Sequence, residues 1–320
     1  MPVEFRAFVP IYGRVTDNLD IDRSLGFTIA ARNARGRLVR LGPVLETIIS
    51  AHAYPPAIEK LLAEALVLTA LLGATLKDDS GQMTLQAQTE GGPIDLLVCD
   101  YRAGELRGYI KFDADRLAEM PANPTLFALF GKGYLAITFD QVATGERYQG
   151  IVPLEGATLA EAAESYFAQS EQIPSLIRIG VTRDDNGCVA GGLLLQHLAE
   201  GEDGRDRIHT RLDHPEWEHV SILGGTIKTE ELAQRDLPLE TIVWRLFNEE
   251  TEVRLLGGAS LTKGCRCDVV HIRDVLSRFP IEERATMADD SGKIAVDCAF
   301  CSRIFAIPVA ELENADVTTK

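Results

Sequence analysis

Four of the six cysteines fall in two close pairs near the C-terminus, Cys265-Arg266-Cys267 and Cys298-Ala299-Phe300-Cys301. Thiols at this spacing can hold a metal, form local disulfides, or exchange one state for the other. Cys-x-x-Cys is the usual zinc knuckle, because its turn lets two sulfurs and nearby backbone N–H groups face one ion. Cys-x-Cys is a rarer chelate. Four thiolates in two such pairs match tetrahedral Zn²⁺ with Zn–S of about 2.3 Å. Oxidising the sulfurs removes the ligands and releases the metal, so a site of this kind links oxidant level to the folding of its module.

Other cysteine chemistries fit less well. A thioredoxin-like site opens a helix after a strand, whereas Cys301 is followed by SRIFAIP, a strand-like run. A zinc deaminase needs a His-x-Glu partner and a Pro before its Cys-x-x-Cys; Asp297 stands there. A zinc ribbon for nucleic acid needs a basic surface, but residues 263–320 carry 8 basic against 10 acidic residues. Permanent disulfides are disfavoured in a reducing compartment. Three readings of the residues stay open: a redox switch built on zinc, a zinc-dependent thiol-disulfide oxidoreductase, and a constitutive interaction protein with a structural zinc.

The elements that must position these sulfurs predict an α+β fold. MTLQAQT (83–89), IDLLVCDY (94–101) and LRGYIKF (106–112) alternate or run apolar between Gly-rich turns, as an antiparallel meander does. Further strands are expected at 134–140, 147–154, 175–181 and 190–198. Pro43 to Leu76 reads as two helices broken at Pro55-Pro56. Thr158 and Glu161 form a capping box opening a helix to about Glu171. Together these predict an N-terminal antiparallel-sheet domain with helices over 1–198. Residues 199–219 read as an exposed charged connection. Helices are expected at 226–234 and 239–250, the second with Ile242, Val243, Leu246 and Phe247 on one face. Trp244 is assigned to ordinary packing in the folded state. Residues 199–262 carry 14 acidic and 7 basic residues, so a shallow core and helices that need a neighbour are expected. The last segment, 263–320, is a small zinc-binding module with a helix at 268–279 and a strand at 293–298.

The 320 residues carry a formal net charge of −16, which disfavours nucleic acid and anionic membrane as partners. The apolar run at 61–76 contains Glu64 and is too short to span a bilayer. The N-terminal MPVEFRAFVP lacks a basic segment followed by an apolar one, so a cytoplasmic location is expected. Cys99 reads as a buried inert thiol. Cys188, after the turn Asp185-Asn186-Gly187, reads as exposed, and His209, His214 and His219 as solvated.

The order of RYQGIVPLEG (147–156), SYFAQSEQIP (165–174), AGGLLLQ (190–196), WRLFNEE (244–250) and GKIAVDCAFC (292–301) resembles the heat-shock protein 33 family of redox-regulated holdase chaperones. MTLQAQTEGGPIDLLV (83–98) and the 30-residue spacer between the cysteine pairs match as well. The resemblance runs from about residue 35 to 310; residues 17–36 match less clearly, and Asp268 stands where the pattern has Ser. It implies Cys265, Cys267, Cys298 and Cys301 as zinc ligands in a reduced, inactive monomer. On oxidation it implies disulfides Cys265–Cys267 and Cys298–Cys301, an unfolded linker, a homodimer, and the holding of unfolded client proteins without ATP or catalysis. Gly131-Lys132-Gly133 is too short for a phosphate loop.

Overall fold

The structure, a computed structural model, describes residues 21–76, 80–141, 145–198 and 214–312. The chain begins with a hairpin, β1 (Arg23–Ile29) and β2 (Ala34–Leu41), then α1 (Pro43–Ile49) and α2 (Pro56–Gly73). The meander β3 (Gln82–Gly91), β4 (Ile94–Arg102) and β5 (Glu105–Phe112) follows, with short helices α3 (Ala114–Ala118) and α4 (Leu126–Phe130) after it. Then come β6 (Gly131–Gln141), β7 (Glu146–Pro153), α5 (Leu159–Tyr166), β8 (Ser175–Asp184) and β9 (Gly187–His197). The segment beyond holds α6 (Pro215–Gly225), α7 (Thr229–Leu232), α8 (Leu239–Phe247), β10 (Val253–Leu256) and β11 (Thr262–Lys263). The cysteine module adds α9 (Val269–Ser277), α10 (Ile281–Met287), β12 (Lys293–Asp297) and β13 (Ile304–Pro308).

Two sheets enclose α2. One has the order β10-β1-β2-β9-β8, the other β11-β5-β4-β3-β6-β7, and among the described strands only the β11–β5 pair is parallel. The apolar run of α2 is thereby explained: a helix apolar on every side is a buried one. Leu62, Leu66, Val67 and Leu71 are fully buried, and the helix packs on strands of both sheets. No helix among the described residues is long and apolar enough to cross a membrane.

Every expected strand from 83 to 198 is present, and the break at Pro55-Pro56 separates α1 from α2. Thr158 Oγ1 accepts from the Glu161 amide, but the Glu161 carboxylate accepts from Ala157 N–H, one residue before the cap. The α-helical part ends at Tyr166, and a wider π turn carries the chain to Glu171.

The region after residue 213 departs most from expectation. His214 to His219 is no exposed connection: Pro215 starts α6, and Trp217 and Val220 are buried. Residues 199–213, with His209, lie outside the described residues. The helix expected over 226–234 is confined to Thr229–Leu232. Ile227, Leu232, Leu237, Leu239, Ile242, Val243 and Phe247 form one buried cluster with Phe27, Leu38, Leu193 and Leu195 of the first sheet. On α8, Ile242, Val243 and Phe247 are buried and Leu246 is partly so, while Trp244 is 55% exposed instead of packed.

This segment is fitted to the sheet by backbone. A Cβ on Gly180 of β8 would lie 1.8 Å from the Thr229 carbonyl oxygen, and one on Gly191 of β9 would lie 2.1 Å from that of Leu232. Arg40 of β2 is fully buried and donates to the carbonyls of Leu232 at 3.0 Å and Leu237 at 2.5 Å. A fixed guanidinium fork suits such a cluster of acceptors. Arg32 donates to both Glu216 and Glu250, and His219 Nε2 lies 2.6 Å from Glu250 Oε1. His219 is therefore a bonded residue, not a freely solvated one.

Candidate metal centre and its relatives

Each cysteine pair sits where a strand has just ended. Before the first pair, β11 runs beside β5: the Thr262 amide donates to Gly104 and the Gly264 amide to Leu106, both at 2.9 Å. Cys265 and Cys267 follow, and Asp268 then caps α9 by accepting from the Val270 amide at 3.0 Å. The second pair closes the β12–β13 hairpin. Cys298 N–H donates to Arg303 O at 3.0 Å, while Cys301 and Ser302 amides donate back to Cys298 O at 3.2 and 2.8 Å. Ser302 takes a left-handed φ of 54°, which turns the chain tightly enough for this loop.

The four sulfurs converge. All Sγ atoms lie within 4.8 Å of one another. Cys265 Sγ is 3.3 Å from Cys267 Sγ and 3.6 Å from Cys298 Sγ, and Cys267 Sγ is 3.7 Å from Cys301 Sγ. Tetrahedral ligands about 2.3 Å from a centre would be separated by about 3.8 Å, so the donor set fits Zn²⁺ in both chemistry and spacing. The thiols are unpaired and half-buried.

The electrostatics of the bare cluster favour protonated sulfur at Cys265 and Cys267. Burial pushes Cys265 up to about 12, with hydrogen bonds among the neighbouring thiols acting partly in the same direction. Burial also raises Cys267. At Cys301 burial is outweighed by the Arg303 backbone N–H and by hydrogen bonds from the other three cysteines, so its thiol lies below the usual range. A divalent cation would displace these protons, which makes metal binding by such a set pH-dependent.

The module around the sulfurs is small. Its buried cluster is Leu276, Ile294, Phe305, Ile307 and Leu312, and Cys267 and Cys298 pack against it. The module also reaches the second sheet through residues that carry no sequence signal of a site. Phe300 contacts Tyr109 and Arg107 of β5, and Ser302 Oγ is 3.0 Å from His52 Nδ1. Only the period-2 pattern of β5, which puts Arg107 and Tyr109 on one face, could have hinted at this.

The other cysteines stand apart. Cys99 is buried, as expected, and burial drives its thiol far up. Cys188 is buried at 3% exposure, contrary to the exposed position expected after a turn. The turn itself is exposed, but α1 lies over Cys188, and its Glu46 carboxylate accepts from the Cys188 amide at 2.9 Å; burial pushes the thiol up to about 11. His214 caps α6 by accepting from the Glu216 amide, and its ring meets that of His197 at a tilt, with centroids 4.8 Å apart.

Comparison with known proteins agrees with this arrangement. The family model described as Hsp33 protein matches residues 22–308, which takes in β1, beyond the limit of about residue 35 read from sequence. The chain is 40% identical over 289 residues to a 33 kDa chaperonin of Caulobacter vibrioides, covering 88% of this chain and 93% of that one. It is 36% identical over 294 residues to the 33 kDa chaperonin of Yersinia pestis, covering 91% and 94%. The crystal structure of the 33 kDa chaperonin (heat shock protein 33 homolog) of Thermotoga maritima superimposes with a TM-score of 0.75 at 25% identity, over 91% of this chain and 96% of that one. The fold, the four gathered cysteines and these matches place the chain in the Hsp33 family of chaperones.

Proposed function

We propose that this chain is a redox-regulated holdase, which binds unfolding proteins under oxidative stress without ATP. The observation that carries the reading is the gathering of Cys265, Cys267, Cys298 and Cys301 at one point of a module whose apolar core, among the described residues, is five side chains. Zinc, when bound, would supply the tetrahedral anchor that such a core lacks. As the resemblance implies, Cys265 would form one disulfide with Cys267, whose sulfurs lie 3.3 Å apart, and Cys298 would form the other with Cys301. Each pair of thiolates gives two electrons to one peroxide, which takes up two protons from solvent and leaves as two waters.

In this reading 1–198 is the chaperone core, 199–262 a metastable linker and 263–320 the redox switch. The linker's apolar residues cover Phe27, Leu38, Leu193 and Leu195 of the first sheet, so its release would bare a surface fit for partly folded clients. The reduced chain is a monomer and the oxidised one a homodimer, in the cytoplasm, with no catalytic residue. The test measures zinc content, free thiols and suppression of client aggregation before and after peroxide at elevated temperature. The expected result is release of one zinc, loss of four thiols and a gain of suppression. Retained zinc, or equal suppression in both states, overturns the reading; turnover of a small disulfide by the metal-free reduced chain would favour an oxidoreductase instead.

A further inference from the structure

The loop between Cys298 and Cys301 carries a ring that rests on the core. Phe300 meets Tyr109 edge-on, with centroids 4.9 Å apart and planes at 84°. The Arg107 guanidinium carbon lies 4.0 Å from the Phe300 ring centroid. Arg107 is itself held: its Nε donates to Asp100 Oδ2 at 2.7 Å, and the buried Asp100 also accepts from Thr84 Oγ1 at 2.7 Å. These residues belong to β5, β4 and β3, so the ring sits on a platform fixed by three neighbouring strands. The other cysteine loop makes a matching contact, because Arg266 donates to Gln82 Oε1 of β3. Both loops therefore touch the same sheet, on the side away from α2.

We propose that Phe300 is the residue that docks the cysteine module on the six-stranded sheet, and that the sulfur cluster is what aims it. Phe300 lies between two of the four gathered sulfurs, in a loop closed by backbone hydrogen bonds to Cys298 O. Its ring direction follows from where Cys298 and Cys301 are held. Pulling the sulfurs out of their cluster swings the ring off Arg107 and Tyr109, and the module leaves the sheet directly, without the linker as intermediary. The inference rests on the redox reading above and adds a second, parallel output to it. Edge-on aromatic contact and a cation over a ring each shift an equilibrium by a factor of several, so losing both weakens docking by about tenfold to a hundredfold.

The test uses the full reduced chain loaded with Zn²⁺, as wild type, F300L and F300Y. Zinc and module thiols are counted, and hydrogen exchange is followed at the amides of Thr262 and Gly264, which bond β5 when the module is docked. F300L is expected to keep one zinc and its four module thiols while both amides exchange about tenfold faster; F300Y, which keeps the ring, is expected to match the wild type. Unchanged exchange in F300L, fast exchange in F300Y, or loss of zinc from F300L overturns the docking role. Failure of the redox reading would show itself differently, as a wild-type chain that binds no zinc or gains no client holding after peroxide.

Discussion

Around α2, two sheets bury a continuous apolar cluster that includes Val39, Leu62, Leu66, Leu85, Leu135 and Leu194. Among the described residues, the cysteine module has five buried apolar residues, a two-stranded hairpin and two short helices. The first region is large enough to stand on burial alone, as domains above roughly 60 residues can. The second is too small for that, and two of its sulfurs, Cys267 and Cys298, lie against its core. A region held by many contacts survives the loss of any one of them. One held by four sulfurs fails all at once, which is the behaviour a switch needs.

The strongest way to break this contrast is at the sulfurs. Structural zinc contributes about 10–16 kcal/mol in small modules, so chelation, or Cys298→Ser, is expected to abolish exchange protection over 265–312 while amides of α2 and β3 stay protected. Protection lost in both regions together would mean one cooperative unit. A core substitution should act in the opposite sense. Leu66→Ala removes a fully buried side chain and is expected to cost about 2–5 kcal/mol of global stability by denaturant unfolding, with zinc affinity unchanged.

Between these extremes lies the segment that joins the two regions. Arg40→Met leaves the Leu232 and Leu237 carbonyls without their cationic donor, at a cost of about 1.5–3 kcal/mol. Faster exchange over α7 and α8 in the reduced chain, with β3 to β5 unaffected, is the expected result. The smallest effect concerns Glu250. Burial raises its carboxyl, but bonds from Arg32 and His219 outweigh this and hold it below the usual carboxylate range. A carboxyl lowered in the folded state stabilises fully above its unfolded pKa of about 4.3 and loses that contribution as pH falls through the folded value. The packing of α6 against α8 should therefore weaken below about pH 4, by about 1 kcal/mol or less, seen as earlier melting, and Glu250→Gln should remove that pH dependence.

The cysteine spacing announced the sulfur cluster because a chelate is a local object: one or two intervening residues fix which atoms can meet. The meander 83–112 was legible for the same reason, its turns and alternation lying within a few residues. The β1–β2 hairpin gave no such signal. Arg35, Arg37 and Arg40 interrupt β2, and Arg40 is tolerated in the interior only because carbonyls some 190 residues later come to meet it. Helix α6 was hidden in a charged stretch for a related cause, since only Trp217, Val220 and Gly224 of it are buried. Cys188 looked exposed because its turn is, yet α1 lies over it. The seat of Phe300 on Arg107 and Tyr109 is a meeting of distant residues that no local pattern encodes.

The pairing of β10 with β1 has a consequence for how the chain is born. Strand β1 is among the first described segments to leave the ribosome, but its outer partner, Val253–Leu256, comes from far along the chain. Translation at about 5–20 residues per second leaves that edge unpaired for many seconds, with the apolar face later covered by α6 to α8 still bare. A nascent molecule thus passes through a stage in which its own unfinished sheet offers an open strand and an apolar face. Synthesis and stress would then share one exposed surface, reached from opposite directions.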